Sequence, residues 1–219
     1  MIYHYAYLWD KGEVSPQNRF VLAVESVMTT MTTNGQVLLA LLTESEQFAR
    51  MAVAWLYEEG LPILRERGMC RQIRSTFLRN VSEEEPGGTV LLLYGKQFFS
   101  YSSGQLSLSI YQNGESPKFT NHIEEKDKFE EIRFEINNSE YCKFGKIKAG
   151  DSALLYSDSM LTRMDPEVIL RKLISVKQTD SGLDLEESLQ KSMDEVMRRI
   201  RSRGEKEEIA AIFIRMDKK

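Results

Sequence analysis

Asp158 is the residue of this 219-residue chain best placed by its sequence to do chemistry. It ends the run Leu154-Leu155-Tyr156-Ser157-Asp158, and a carboxylate just past a buried strand can serve as a metal ligand or a catalytic group. The plainer alternative is a turn residue that caps the end of its strand. Other chemistry-bearing types are sparse. His4 and His122 are the only histidines, and spacing assembles no Ser/His/Asp or Cys/His triad around them. Both read as structural or surface residues. Cys70 and Cys142 form no CxxC pair, and nothing beside either marks a reactive thiol. Gly87-Gly88 is followed by no helix opening with GK[ST], so it makes no phosphate cradle. Tyr3, Tyr5, Tyr7 and Trp9 alternate, which suits a strand with one aromatic face, a face that serves a core more often than a ligand.

The elements that must position Asp158 follow from pattern. The run 35–42, GQVLLALL, is continuously apolar and reads as a buried strand. Behind it, TESEQFARMAVAWLYEEG places Phe48, Met51, Ala52, Trp55 and Leu56 on one helical stripe. Thr43 and Glu46 suggest a capping box, and Pro62 kinks or ends the helix near 46–66. The stretches TVLLLY, QFFSYS and LSLSIY, separated by short polar links, predict a three-stranded antiparallel meander. Asn113-Gly114 supplies the hairpin turn that closes the third strand. Residues 121–141 form a charged excursion. ALLYSD is a further strand, and DPEVILRKLI is a helix with Asp165 as cap and Pro166 at its first position. A long amphipathic helix near 186–203 carries Leu185, Leu189, Val196, Met197 and Ile200, with Gly204 as its stop. IAAIFIRM closes the chain as a buried strand. The sum is an α+β chain in which two packed antiparallel β-sheets, a β-sandwich, are flanked by α-helices.

Composition narrows the classes of function. The net charge is -4 with 42% hydrophobic residues, enough to bury a sizeable core and read here as a single domain over residues 1–219. That balance gives no electrostatic case for nucleic acid. The one basic cluster, Arg198, Arg199, Arg201 and Arg203, lies at a helix C-terminus and reads as a solvated face that complements the helix dipole. The two cysteines suggest a reducing compartment. The opening MIYHYAYLWDKGE does not read as a signal peptide, and no stretch nears the roughly 18 apolar residues of a membrane span. A cytoplasmic protein with neither a nucleic-acid nor a membrane partner is expected.

Four motifs in order carry a resemblance. IKAGDSALLYSDSMLT resembles the GD-x-x-LL-x-SDG-L segment of the protein phosphatase 2C (PPM-type) family. EEIAAIFIR resembles that family's closing DN-I-T-V-V-V-V-R strand, and SGQLSLSIYQNGE its GDSR-x-Y-x-x-x-x-G hairpin, with Gly104 and Gly114 matched. KGEVSPQNRF is similar to its opening G-x-x-R-x-x-NED, with Gly12 and Asn18 in place. The resemblance implies a helix-flanked sandwich with two divalent metals at one end. Such a pair of cations, held by carboxylates, deprotonates a bridging water that attacks phosphorus, while an arginine holds the phosphoryl oxygens.

The matched positions depart from that pattern. Ser15 stands at the arginine, Arg19 at a Glu and Phe20 at an Asp. The segment Thr43-Glu44-Ser45-Glu46 replaces the glycine-rich DG-x-GG, so Thr43 falls at the bridging Asp, with Glu44 the nearest carboxylate. Gln105 and Ser107 replace the Asp and Arg of GDSR. Asp158 alone is kept, with Ser159 at its following Gly. Glu207 stands at the Asp of the closing motif and Glu208 at its Asn. The carried-over metal ligands are therefore Asp158 and Glu207, which could hold at most a single weak Mg or Mn ion. No cofactor is expected. These departures imply a catalytically degenerate member, a pseudophosphatase acting as a regulatory or binding module toward a phosphoprotein or kinase. The alternative is an active but atypical metal-dependent serine/threonine phosphoprotein phosphatase, a hydrolase.

Overall fold

The computed structural model describes residues 1–14, 19–29, 35–64, 69–81, 87–103, 106–111, 141–160, 163–164, 166–176 and 184–217. Ser15, Asn18, Gly104, Gln105, Asn113, Gly114, His122, Asp165 and most of the charged 121–141 stretch lie outside the described residues, as do the side chains of Cys70 and Ser107.

Among the described residues, nine strands form two antiparallel sheets. One sheet orders β1 (Ile2–Asp10), β9 (Ile209–Asp217), β8 (Ser152–Tyr156) and β6 (Ser107–Tyr111). The other orders β2 (Val21–Thr29), β3 (Gly35–Thr43), β4 (Gly88–Tyr94), β5 (Gln97–Ser102) and β7 (Tyr141–Lys146). Period-two alternation sends one set of side chains between the sheets and the other outward. Leu38, Ala40 and Leu42 of β3 meet Ala210, Ile212, Ile214 and Met216 of β9 in the inter-sheet core, together with Ala153 and Leu155 of β8. Their odd-numbered or even-numbered neighbours face helices.

The helices cover both outer faces. On the β3–β4 sheet, α1 (Glu46–Trp55) continues through a π-helical turn, Leu56–Gly60, into α2 (Leu61–Ile63), and α3 (Met69–Asn80) packs alongside. Phe48, Trp55, Phe77 and Phe99 join there, with Trp55 and Phe77 edge to face at 5.0 Å. Pro62 has no N–H to give, and its ring crowds the preceding turn. The wider π turn accommodates it: Leu61 N–H reaches back five residues to Leu56 O, and the helix ends at Ile63. On the other sheet, α4 (Pro166–Ile174) and α5 (Leu185–Ser202) bury Ile169, Leu173, Leu189, Met193, Val196 and Ile200 against Leu154, Tyr156 and Phe213.

Three expectations need correction. The helix cap is Ser45, whose Oγ accepts from Phe48 N–H at 3.1 Å; Thr43 is the last residue of β3. The expected meander stops after two strands: β6 leaves β5 and pairs with β8 in the opposite sheet, Leu108 opposite Leu155. Thr89 Oγ1 and Ser102 Oγ both contact Leu106 O, at 3.1 and 3.3 Å, where the chain turns across. An alternating strand such as LSLSIY buries its leucines equally well from either sheet, so its pattern does not name its neighbour. β2, β7 and α3 were not anticipated.

Candidate functional site

Asp158, Glu207, Thr43, Glu44, Arg19 and Phe20 fall at one end of the sandwich, where β1, β3 and β8 finish and β2 and β9 begin. The polypeptide there is held by backbone contacts. Ser157 N–H donates to Ala210 O at 2.9 Å, and Ala210 N–H to Ser157 Oγ at 3.1 Å, which extends the β8–β9 ladder by one pair. Ser157 Oγ and Ser159 Oγ lie 2.9 Å apart, and Ser159 Oγ donates to Glu208 O at 2.5 Å. Asp158 sits between these two serines in a single 3₁₀ turn, Asp158–Met160, with its side chain exposed.

Strand parity decides what the adjacent glutamates do. Residues 210, 212, 214 and 216 of β9 face the inter-sheet core, so Glu208 shares their face and Glu207 does not. Glu207 is exposed, and its carbonyl accepts from Arg201 Nη1 at 2.7 Å. Glu208 is 2% exposed. Its Oε1 accepts from the Trp9 indole Nε1–H at 2.8 Å and from Phe20 N–H at 3.1 Å, and its Oε2 from Arg19 N–H at 2.6 Å. A buried carboxylate demands such partners. Here they come from β1 and from the start of β2, so one side chain ties together the ends of both sheets.

The other matched positions are likewise committed. Phe20 is buried in the inter-sheet core with Leu42 and Ala210. Arg19 spans its ring, 5.1 Å from guanidinium carbon to centroid, and pairs with Glu44 at 2.7 Å. Thr43 is fully buried; its Oγ1 donates to Gly87 O at 3.1 Å and accepts from Ser45 N–H at 3.0 Å. Gly88 presses against it: a Cβ there would lie 2.7 Å from Thr43 Cβ. Gly12 has φ +73, and a Cβ would meet Lys206 O at 2.3 Å, so the turn after β1 needs glycine twice over.

Arg198, Arg199 and Arg203 of the basic cluster are exposed, as a solvated face requires, and Arg201 alone departs from that reading. Its Nη1 donates to the carbonyls of Glu205, at 2.9 Å, and Glu207, and its Nη2 to Asp10 Oδ1 at 2.6 Å and Asp10 O at 3.2 Å. Burial would raise the Asp10 pKa, but hydrogen bonds from Arg201 and Gly12 N–H and the guanidinium charge outweigh it and hold the carboxyl below its usual value. The guanidinium's fork geometry suits this task. A helix-terminal arginine looks alike in sequence whether solvated or folded back, so nothing there distinguished Arg201 from Arg199. Glu208 did leave a signal: it keeps the inward parity of IAAIFIRM.

A pair of divalent cations would need several carboxylates converging with free lone pairs. Among the described residues, no three His, Cys, Asp or Glu side chains come together as such a set. The inward carboxylate, Glu208, is engaged by three donors, and Asp158 and Glu207 are exposed to either side of it. The described residues do not fit a dinuclear centre.

No protein-family profile and no curated protein sequence matches the chain. Solved structures do match its shape. A serine/threonine phosphatase from S. agalactiae aligns over 99% of this chain and 100% of its own, with TM-score 0.60 and 13% identity. The serine/threonine phosphatase Stp1 from Staphylococcus aureus covers 100% of this chain and 96% of its own, at TM-score 0.57 and 12% identity. The catalytic domain of the serine/threonine protein phosphatase PstP, a structure in complex with 2 manganese ions, covers 99% of both chains at TM-score 0.59 and 14% identity. At such identities the likeness establishes the fold, that of protein phosphatase 2C-type domains. No described helix is long and apolar enough to cross a membrane.

Proposed function

We propose that this protein is a catalytically degenerate phosphatase-fold domain, a pseudophosphatase that works by binding. The observation that carries this reading is the engagement of Glu208. Its carboxylate bridges Trp9, Arg19 and Phe20 across the end of the sandwich, the end at which the resemblance puts metal ligands. Phe20 and Thr43 support the same reading, one as core and one as a turn anchor. A bridging hydroxide needs two cations to lower the pKa of water. The side chains here stabilise one another instead of converging on ions. The binding role proposed is regulatory, toward a phosphoprotein or kinase in the cytoplasm.

One observation favours a second reading, an atypical phosphatase with a single metal. Asp158 and Glu207, the carboxylates at the matched ligand positions, are both exposed at this end. Calorimetric titration with Mn²⁺ and Mg²⁺, alongside a p-nitrophenyl phosphate assay, separates the two. The binding reading expects at most one weak site, which mild chelation clears without unfolding, and no turnover. Two tight sites, or turnover that follows metal occupancy, overturns it.

A further inference from the structure

β1 lies at the edge of its sheet, and among the described residues no strand pairs with its outer side. Such an edge presents backbone N–H and C=O groups to any extended chain. In an antiparallel strand, alternate residues point these groups away from the existing partner. Tyr3 N–H donates to Gln36 Oε1 at 2.6 Å and Tyr7 N–H to Gln190 Oε1 at 3.2 Å, so the outward set is Tyr3, Tyr5, Tyr7 and Trp9. Gln190 Nε2 also donates to Tyr7 O at 2.8 Å. One amide therefore both accepts from and donates to Tyr7, as a residue of an adjoining antiparallel strand would. The same Nε2 donates to Asp194 Oδ1 at 3.0 Å, one turn along α5, which fixes the amide's orientation.

The edge is covered by a helix residue, with little in the strand itself to blunt it. The strand IYHYAYLWD holds no lysine and no proline, and its outward residues are all aromatic. Tyr7 and Trp9 are 55% and 43% exposed. We propose that the outer edge of β1 is a latent pairing site for a second copy of this chain, and that Gln190 on α5 holds it shut. A second copy fits because β1 is complementary to itself. Antiparallel pairing about a twofold axis joins outward residues to outward residues. Tyr7 then meets Tyr7 with Tyr5 on Trp9, a register that leaves out Tyr3, whose N–H is already taken by Gln36. This register sets aromatic against aromatic, a favourable cross-strand pairing. The edge meets the candidate site at Trp9, which donates to Glu208, but its test does not depend on whether the protein hydrolyses anything.

The experiment compares wild type, Gln190→Ala and Gln190→Ala/Tyr7→Lys by light scattering across a concentration series, with amide hydrogen exchange at Tyr7. Alanine favours helix, so the first change leaves α5 formed. Wild type is expected to be monomeric with a protected Tyr7 amide. In Gln190→Ala that amide should exchange about tenfold faster, and a concentration-dependent dimer should appear. Lysine on an edge strand opposes pairing, so the double variant should return to monomer. A wild-type dimer, a Gln190→Ala protein monomeric at every concentration, or a dimer that persists with Tyr7→Lys overturns the proposal.

Discussion

β9 changes character between its body and its first residues. From Ile209 to Ile214 each side chain has an apolar neighbour on one of two faces, and each is fully buried. Two residues earlier, Glu207 lies in solvent and Glu208 is sealed between the sheets. In the body, shape and parity settle everything, and many apolar residues would serve. At the end a single carboxylate answers three donors from two other segments. The body builds the sandwich, and its end ties the sandwich to β1 and to the segment before β2.

The sharpest way to break that contrast is to put a charge where the body's rules hold. Phe20→Asp, which restores the carboxylate type at that position, should cost about 4 kcal/mol, since it removes a buried ring and buries an unpaired charge. It should bring no phosphatase activity. An unchanged Tm with new turnover in a thermal-unfolding and activity comparison would break the contrast.

Next come the adjacent glutamates. Glu208→Ala should cost about 3 kcal/mol, because Trp9 Nε1–H and two backbone N–H groups lose their acceptor in a dry place. Glu207→Ala should stay within about 0.5 kcal/mol, as exposed substitutions do. Equal effects from urea titrations of the two variants would mean that parity does not separate them.

A smaller effect sharpens the role of Arg201. The Asp10 carboxyl is held below its usual value in the folded protein. Its contribution is therefore present above the unfolded value, near 3.9, and is lost as pH falls through the lower folded value. Asp10 is 31% exposed, so solvent screening limits the contribution to below about 1 kcal/mol. Stability profiles of wild type and Asp10→Asn should converge only below about pH 4. Profiles that stay parallel into that range would remove the clamp from the account.

The sandwich was legible because strand and helix periods are written into the apolar residues. GQVLLALL, ALLYSD, IAAIFIRM and the stripe of α5 all fall where pattern placed them. β6 misled because alternation tells which face is buried and not which strand lies alongside. Ser45 displaced Thr43 as cap because β3 ran one residue further than the apolar run. At the site, motif alignment pointed to Glu207, whereas the inward face belongs to Glu208. Arg201 and Trp9 act through partners more than 180 residues away, a relation that no local pattern contains.

On the proposed reading, this end of the fold is closed by its own side chains and does not hydrolyse phosphoesters. Dephosphorylation of phosphoserine and phosphothreonine peptides in Mn²⁺ or Mg²⁺, by wild type and Asp158→Ala, tests it most directly. The account predicts no turnover above background for either protein, and a stability difference between them within about 0.5 kcal/mol. Manganese-dependent turnover that saturates in substrate and vanishes in Asp158→Ala would contradict it.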